Sequence, residues 1–299
     1  MTIASSQSLL RPDILMSLAN LDLVARAAIE GFLVGLHRSP NFGFSQEFAE
    51  YRAYQPGDDL RFVDWNVYAR TGRTYLKQFL GETSTHLTLM LDTSASMGFT
   101  TGKATKLDTG KFLGAALAYL AKRQHDALGL LIFDTEVRDF RPPRSAADAF
   151  PAILHMLEKA QPHSATSYSH PVSHYCQSLR KSGILAIISD FLDHPERMLD
   201  ELKPLSGLGQ DIILFQILDP GEIQLSIDKP VRMEDVETGV QININPGDQI
   251  TEYGAAMSAH IQSVREIAQR TGADHILVDT SQPLNAALRS YLLHRQMRR

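Results

Sequence analysis

The sequence predicts an α/β protein built on a doubly wound, mostly parallel β-sheet. Strongly apolar runs of strand length, for example LTLMLD (87–92), ALGLLIFD (127–134) and GILAIISD (183–190), recur along the chain. Segments with helical periodicity separate them, and this alternation is typical of βαβ units with helices on both faces of the sheet. At 299 residues, the chain is long enough to bury the core that such a sheet requires.

Residues 1–85 are expected to form an N-terminal helical and irregular region. Apolar residues at intervals of three and four predict an amphipathic helix over 13–36, with Asp13 as its N-cap. The following segment is mixed in period: QPGDD (55–59) predicts a turn and TYLKQFL (74–80) predicts a strand. Charged residues interrupt the apolar stretch of the helix, so we do not expect it to span a membrane.

Residues 86–299 are expected to form the sheet domain. EVRDFRP (136–142) predicts a short strand paired with the run before it. A polar, glycine-punctuated stretch over about 219–250 predicts a β-hairpin insertion. The other predicted elements are strands over 211–218 and 274–279 and helices over 106–123, 146–159, 171–181, 195–206, 253–271 and 283–296.

Composition narrows the functional class. The net charge of −5 argues against a general binder of nucleic acid, because such proteins usually carry a strong basic excess. Cys176 is the only cysteine, so the sequence allows no intrachain disulfide. The N-terminus lacks a basic segment followed by a clean apolar core, which argues against a signal peptide. Together these features predict a cytoplasmic protein with no membrane span.

The main candidate site lies where the first apolar run ends. LTLMLDTSASM stops at Asp92 and continues with hydroxyl residues that include Ser94 and Ser96. In the turn after a parallel strand, side chains two positions apart can point into one concavity, and Mg²⁺ prefers oxygen ligands of these kinds. Three residues cannot complete such a site. We expect Thr166, in the polar loop SATSY, and Asp190, at the end of a later run, to join them at the same sheet edge.

This pattern resembles the metal-ion-dependent adhesion site, or MIDAS, of von Willebrand factor A domains, which have a Rossmann-type fold. Asp92, Ser94 and Ser96 match the DxSxS motif, and Thr166 and Asp190 match the other two elements. The resemblance covers roughly residues 86–299. It implies a bound Mg²⁺, or Mn²⁺ or Ca²⁺, with waters in its shell and one position open to an Asp or Glu of a partner. SATSY departs from the family pattern because it has no glycines before the threonine.

Other interpretations of the same residues stay open. Asp, Ser and Thr also cap helices, and a strand-end carboxylate such as Asp190 can be satisfied by its own surroundings. A metal-dependent hydrolase or phosphatase using the same ion would need a general base, for which Asp134 and Asp193 are the nearby candidates. A purely structural subunit with a vestigial site is a third possibility.

Two further motifs are weaker. His163, His170, His174 and Cys176 lie close together in sequence and include a pair four residues apart, as zinc ligands often are. Pro171 interrupts the register of that pair, so unliganded histidines at a loop or helix start are the favoured interpretation. GFTTGKAT fails the phosphate-loop pattern in both glycine spacing and final residue.

The segment before the sheet domain carries a second resemblance. GFSQEFAEYRAYQPGDDLRFVDWNVYAR (43–70) is similar to the signature of the bacterial family called domain of unknown function 58, which joins such a segment to a von Willebrand A-like domain. That family is encoded beside MoxR-type AAA+ ATPases in many bacteria, which implies a chaperone-like or assembly partnership. The match is carried by Glu47, Phe48, Arg52, Tyr54, Pro56, Gly57, Asp58, Arg61, Asp64, Trp65, Ala69 and Arg70.

The charged residues around Trp65 have two interpretations. They form either a network that clamps the segment onto the sheet domain or a docking surface, since Trp and Arg are frequent in interface hot spots. Taken together, the sequence predicts a non-enzymatic, metal-dependent protein-interaction module. A MoxR-type AAA+ ATPase, or a client protein with an acidic residue for the metal, is the expected partner.

Overall fold

The computed structural model describes residues 11–18, 20–36, 48–54, 63–79, 85–178, 181–225, 227, 229, 231–234, 241–244 and 248–297. Short 3₁₀ helices cover Ala95–Gly98 and Lys203–Leu205. In chain order, the helices and strands are α1 (Pro12–Leu15), α2 (Leu21–Leu36), β1 (Phe48–Ala53), α3 (Trp65–Thr71), β2 (Tyr75–Phe79), β3 (His86–Asp92), α4 (Lys106–Arg123), β4 (Ala127–Phe133), β5 (Val137–Arg144), α5 (Ala149–Lys159), α6 (Ser169–Ser178), β6 (Ile184–Ser189), α7 (Pro195–Leu202), β7 (Asp211–Leu218), α8 (Pro220–Ile223), β8 (Val231–Glu234), β9 (Gln241–Ile244), α9 (Asp248–Thr271), β10 (Ala273–Asp279) and α10 (Asn285–Met297).

The central sheet has the strand order β10-β7-β6-β3-β4-β5. All neighbouring strands are parallel except β4 and β5, which pair antiparallel as the sequence predicts. The chain begins the sheet at β3, builds outwards through β4 and β5, and then returns to β6 on the other side of β3. The strand order therefore reverses between β3 and β6, which is where doubly wound sheets bind ligands. The predicted doubly wound α/β fold is confirmed.

Both faces of the sheet are covered by helices. Met90, Ile187 and Leu214 lie in a buried cluster with residues of α6, α7 and α9. On the opposite face α4 packs so closely that a Cβ added to Gly110 would lie 3.0 Å from the side chain of Leu91. Because successive side chains of a strand point to opposite faces, the continuous apolar runs are explained by two buried faces.

The N-terminal helix differs from its prediction. The expected helix over 13–36 is two helices, α1 and α2, separated by residues 16–20. Local hydrogen bonds explain the break, because the Ser17 hydroxyl donates to the carbonyl of Ile14 and the Asn20 side chain accepts the backbone N–H of Leu23. Asp13 lies inside the first turn of α1 and is not its N-cap.

The chain divides into two compact units, Met1–Gly35 with Thr85–Arg299, and Leu36–Ser84. The N-terminal helices therefore group with the sheet, to which α1 is joined through contacts with α4, and not with the signature segment as the expected 1–85 region had them. Within the larger unit, β8 and β9 pair antiparallel and form the predicted hairpin insertion.

The smaller unit contains the signature segment. β1 and β2 pair antiparallel, which accounts for the predicted strand at 74–80, and Asp64 accepts the backbone N–H of Val67 at the start of α3. The Trp65 side chain is 58% exposed and meets Tyr68 edge-on, with ring centroids 6.1 Å apart. The QPGDD turn and the signature residues Glu47, Pro56, Gly57, Asp58 and Arg61 lie outside the described residues.

Candidate metal centre

The carboxyl ends of β3 and β6 place two carboxylates at the reversal point of the sheet. Asp92 is the last residue of β3, and Asp190 directly follows β6. The two strands are paired in parallel, with Leu91 opposite Ile188, so both carboxylates emerge at the same edge. Asp92 is 0% exposed and Asp190 is 1% exposed. Two buried acidic groups at one edge call for compensation by donors or cations.

Asp92 collects donors from three separate segments. Its Oδ1 accepts the backbone N–H of Ser94 at 2.8 Å. Its Oδ2 accepts the hydroxyl of Ser189 at 2.6 Å and that of Thr166 at 3.3 Å. The structure therefore brings Thr166 to Asp92 across 74 positions of sequence. Backbone hydrogen bonds hold the SATSY loop there without the absent glycines: the N–H of Ala95 donates to a carbonyl of that loop at 2.7 Å.

The serine hydroxyls of the DxSxS motif do not serve as helix caps. Ser94 precedes the 3₁₀ helix Ala95–Gly98, yet its side chain makes no capping hydrogen bond. Its Oγ lies 3.1 Å from the Oγ of Ser96 instead. The long helix α4 is capped by Thr105, which forms a capping box with Asp108. The capping alternative therefore does not account for Ser94 and Ser96, and three of the predicted site residues, Ser94, Ser96 and Thr166, cluster around Asp92.

Asp190 is bound differently. Its Oδ1 accepts the backbone N–H of Leu192 at 3.2 Å, and its Oδ2 accepts the ammonium of Lys106 at 2.7 Å. The same ammonium lies 2.5 Å from Oε1 of Glu222, at α8. Lys106 is 0% exposed, so this is a buried ion-pair triad. Neither Lys106 nor Glu222 was among the site residues predicted from the sequence.

Burial and charge shift the pKa values of this cluster. Burial, together with the negative charge of Asp190, raises the pKa of Asp92 to about 7. Burial disfavours the ammonium of Lys106, but the charges of Asp190 and Glu222 outweigh it and raise its pKa above the usual value. Burial raises the pKa of Glu222 despite the nearby Lys106. A single ammonium shared by two carboxylates thus stays charged and satisfies each of them incompletely.

Hydrogen bonds with α7 and stacking of buried aromatic rings hold the loops that carry the site. Glu201 on α7 accepts the backbone N–H of Tyr168 at 2.6 Å and the hydroxyl of Ser167 at 3.3 Å, next to Thr166. The buried Tyr168 ring stacks on Phe191, with centroids 5.5 Å apart. Phe191 adopts φ 54°, a strained conformation for a residue with a side chain, directly after Asp190. Such strain is common at functional sites.

The residues of the candidate zinc site make separate contacts with other groups. His163 contacts Asp134 and Arg138, and His170 contacts Glu136. His174 lies edge-on against Phe140 and Cys176 contacts a backbone carbonyl. The described residues therefore contain no group of three or more His, Cys, Asp or Glu side chains suited to a metal. An ion at the Asp92 edge would have to use hydroxyl oxygens as well as carboxylates.

Both proposed general bases lie near an arginine, but only Asp134 is hydrogen-bonded to one. Asp134 accepts the guanidinium Nε of Arg138 at 2.7 Å. Burial alone would raise the pKa of its carboxyl, but hydrogen bonds from Arg138 and from the backbone of Glu136 lower it below the usual value. Asp193 lies 3.6 Å from Arg197. A carboxylate hydrogen-bonded to a cation is a weak proton acceptor, so Asp134 is poorly suited to activate water. The Oδ2 of Asp193 has no hydrogen-bond partner among the described residues, so the same argument does not extend to Asp193.

The donor set fits a divalent cation. Asp92 and Asp190 bring two buried carboxylates to the edge and Glu222 a partly buried third, while Lys106 brings one ammonium, so carboxylates outnumber cations there. Together with the hydroxyls around Asp92, this is an all-oxygen environment of the kind that Mg²⁺, Mn²⁺ and Ca²⁺ prefer. Asp92, Thr166 and the two motif serines are the residues that would hold the ion, with Asp190 beside them.

Comparison with known proteins places the chain in a family. The family described as "Protein of unknown function DUF58" matches residues 50–265, which include all five predicted site residues. The chain belongs to the DUF58 family. Uncharacterized proteins of Mycobacterium bovis and Mycobacterium tuberculosis are each 27% identical to this DUF58 protein over 270 residues, or 88% of this chain and 83% of theirs.

Solved structures that are similar to part of this chain include the conserved hypothetical protein BatB from Bacteroides thetaiotaomicron. It is 15% identical, covers 71% of this chain and 98% of its own, and superposes with a TM-score of 0.48. The VWA domain of SpRpn10 is 9% identical, covers 69% of this chain and 95% of its own, and superposes with a TM-score of 0.37. Among the described residues of the DUF58 protein, none of the helices combines the length and apolar character needed to cross a bilayer.

Proposed function

We propose that this DUF58 protein is a non-enzymatic interaction module in which a divalent cation at the Asp92 edge binds an acidic side chain of a partner protein. The observation that carries the proposal is the excess of buried negative charge at the reversal point of the sheet. The hydroxyls of Ser94, Ser96 and Thr166 add neutral oxygen ligands beside that charge. Neutral ligands leave the ion with positive charge that a carboxylate of a partner can meet.

The surface around this edge supports binding of a protein rather than turnover of a substrate. Leu192, two residues after Asp190, exposes 39% of its surface next to the site. An apolar contact beside a charged one is a common arrangement at protein interfaces. Hydrolysis by the same ion would need a free general base, and the two nearby carboxylates, Asp134 and Asp193, both face arginines.

The proposed partner is a MoxR-type AAA+ ATPase, or a client protein that the two act on together in assembly or activation. Membership of the DUF58 family supports this choice, because genes of that family lie beside those of such ATPases in many bacteria. A cytoplasmic location is part of the same proposal. The expected contact is an Asp or Glu of the ATPase or client, with Mg²⁺ as the bridging ion.

The experiment has two stages, beginning with the protein alone. Mg²⁺ or Mn²⁺ should raise its melting temperature by mass action on the folded state. Asp92→Asn keeps the shape of the side chain and should abolish this rise. Asp139→Ala, an exposed position on β5, is the matched control and should keep it. An undiminished response to metal in Asp92→Asn would refute the site.

The second stage tests the contact with the partner by calorimetric titration of the ATPase, first in Mg²⁺ and then in chelator. We expect binding in Mg²⁺ and its loss in chelator, for the wild type and for Asp139→Ala alike. Asp190→Asn should weaken binding in parallel with Asp92→Asn. Equal affinity in both buffers would rule out the metal-bridged contact, even if the two proteins still associate.

A further inference from the structure

Lys106 occupies a position that normally disfavours a lysine. It is the first residue of α4, directly after the cap Thr105. The helix N-terminus carries partial positive charge, so a cation there is unfavourable, and complete burial adds a desolvation penalty. Lys122, in the last turn of the same helix, shows the ordinary arrangement of an exposed cation at the other end. The ammonium of Lys106 must therefore be held by specific partners.

Those partners connect it to the candidate metal centre. The ammonium is 2.7 Å from Oδ2 of Asp190 and 2.5 Å from Oε1 of Glu222. Because the other oxygen of Asp190 accepts the N–H of Leu192, both oxygens of this carboxylate are already engaged. A divalent cation that uses Asp190 must therefore share the carboxylate with Lys106 or displace the ammonium from it.

We propose that Lys106 is a built-in competitor of the divalent cation, holding the Asp190 carboxylate until the ion takes it and then remaining with Glu222. This inference rests on the proposed function, since it concerns the ion of the same site. Lys106 is a positioning residue in this arrangement and not a ligand of the ion.

Glu222 makes such an exchange feasible. Its Oε2 accepts the backbone N–H of Asp219 at 2.9 Å, which fixes the carboxylate in place independently of Lys106. If Asp190 turned to the ion, Lys106 would still have the partly buried Glu222 carboxylate as partner. Without Glu222, the same step would leave an unpaired buried ammonium, which is strongly destabilising. The ammonium of Lys106 thus has two carboxylate partners, and it competes with the ion only at Asp190.

The test is titration with Mn²⁺ alone, followed by electron paramagnetic resonance of the free ion. Four proteins are compared with the wild type: Lys106→Met, Glu222→Gln, the double variant with both changes, and the control Lys122→Met. Lys106→Met should bind Mn²⁺ more tightly by about tenfold or more, because it removes a unit charge close to the site. Glu222→Gln should bind more weakly, because Lys106 then has only Asp190. Lys122→Met should match the wild type.

The double variant tests whether Lys106 acts through its direct contact with Asp190 or only through its positive charge. It removes one positive and one negative group, so the net charge of the site is that of the wild type, and Asp190 is the one carboxylate of the triad that loses its cation. Tighter binding than the wild type would support direct competition for Asp190. Binding equal to or weaker than the wild type would overturn it. This variant also keeps the test valid if Lys106→Met fails to fold, as melting in chelator would reveal.

The outcomes distinguish this inference from the proposed function. If the wild type binds Mn²⁺ and the double variant binds no better, competition is refuted while the metal site stands. If only the variants without Lys106 bind, competition is supported and the ammonium of the wild type excludes the ion, so the metal-dependent function fails. If no protein binds Mn²⁺, both are refuted.

Discussion

Removing the Glu201 carboxylate should loosen the loop that carries Thr166. Glu201 reaches from α7 to accept the backbone N–H of Tyr168 at 2.6 Å and the hydroxyl of Ser167 at 3.3 Å. Arg197 donates to the same carboxylate at 3.0 Å from a half-exposed position. The Glu201→Ala variant would lose all three contacts and leave the N–H of Tyr168 without its acceptor.

The magnitude follows mainly from the first contact. A short hydrogen bond to a charged group contributes about 1.5–3 kcal/mol, and the longer bond from Ser167 adds about 0.5–1 kcal/mol. The pair with Arg197 is exposed and adds little. We therefore expect Glu201→Ala to lower the free energy of unfolding by about 2–4 kcal/mol and the melting temperature by roughly 5–10 °C. Weaker placement of Thr166 should reduce Mn²⁺ affinity by about three- to tenfold.

The assay is urea unfolding in chelator, followed by the Mn²⁺ titration. Glu196→Ala is the matched control, because this residue lies on the same helix with its side chain exposed. It should change stability by no more than about 0.5 kcal/mol and leave Mn²⁺ affinity unaltered. Glu201→Gln keeps one acceptor oxygen and should fall between the two. A Glu201→Ala variant as stable as Glu196→Ala would refute the view that this carboxylate anchors the loop.

Two further predictions concern the sheet itself. Gly183→Ala should destabilise the protein by about 2–4 kcal/mol in urea unfolding, because the added Cβ would collide with the backbone carbonyl of His86; the control Gly254→Ala meets nothing within 4 Å and should be neutral or slightly stabilising. Burial lowers the pKa of His275 from 6.5 to about 4, and its Nδ1 has no hydrogen-bond partner while Nε2 lies 2.9 Å from Oε1 of Gln216. As the pH falls, the unfolded chain therefore takes up a proton on His275 before the folded protein does. The contribution of neutral His275 to the free energy of unfolding is complete above about pH 6.5 and is lost as the pH falls towards about 4. The free energy of unfolding should fall between about pH 7.5 and about pH 4.5, and His275→Gln should make this fall smaller by about 1–2 kcal/mol. Urea unfolding at the two pH values measures it, and an equal fall in wild type and variant would contradict the role of His275.

The architecture of the sheet was predictable because its sequence signal is local. Each central strand is an uninterrupted apolar run, and the two-sided burial that produces such runs also identifies the parallel fold. The helix α4 was expected over 106–123 and has those bounds, because a capping threonine marks its start. The break between α1 and α2 was missed, since the apolar stripe continues across it while Ser17 and Asn20 bind the backbone.

The candidate site was predictable only where its residues follow strand ends. Asp92 and Asp190 terminate apolar runs, and the parallel sheet then brings them to one edge. The ion-pair partners carry no such signal, because Lys106 is 84 positions from Asp190 and 116 from Glu222. One local anomaly pointed to Lys106, namely a lysine at the first position of a helix, where the helix dipole disfavours it. Glu201 had no comparable mark, since acidic residues are ordinary on an exposed helix.

The triad that holds Asp190 also reaches the exposed rim of the site. Glu222 accepts the N–H of Asp219, and Asp219 in turn accepts the backbone N–H of Thr101 at 3.0 Å and contacts the Thr101 hydroxyl. Thr101 lies in the exposed loop between the DxSxS motif and α4. The hydrogen bonds that fix the buried carboxylates therefore fix the loop beside them as well. A partner that binds at this edge would therefore meet a loop whose position depends on Asp219 and Glu222, and Glu222 is also the second partner of the Lys106 ammonium that holds Asp190.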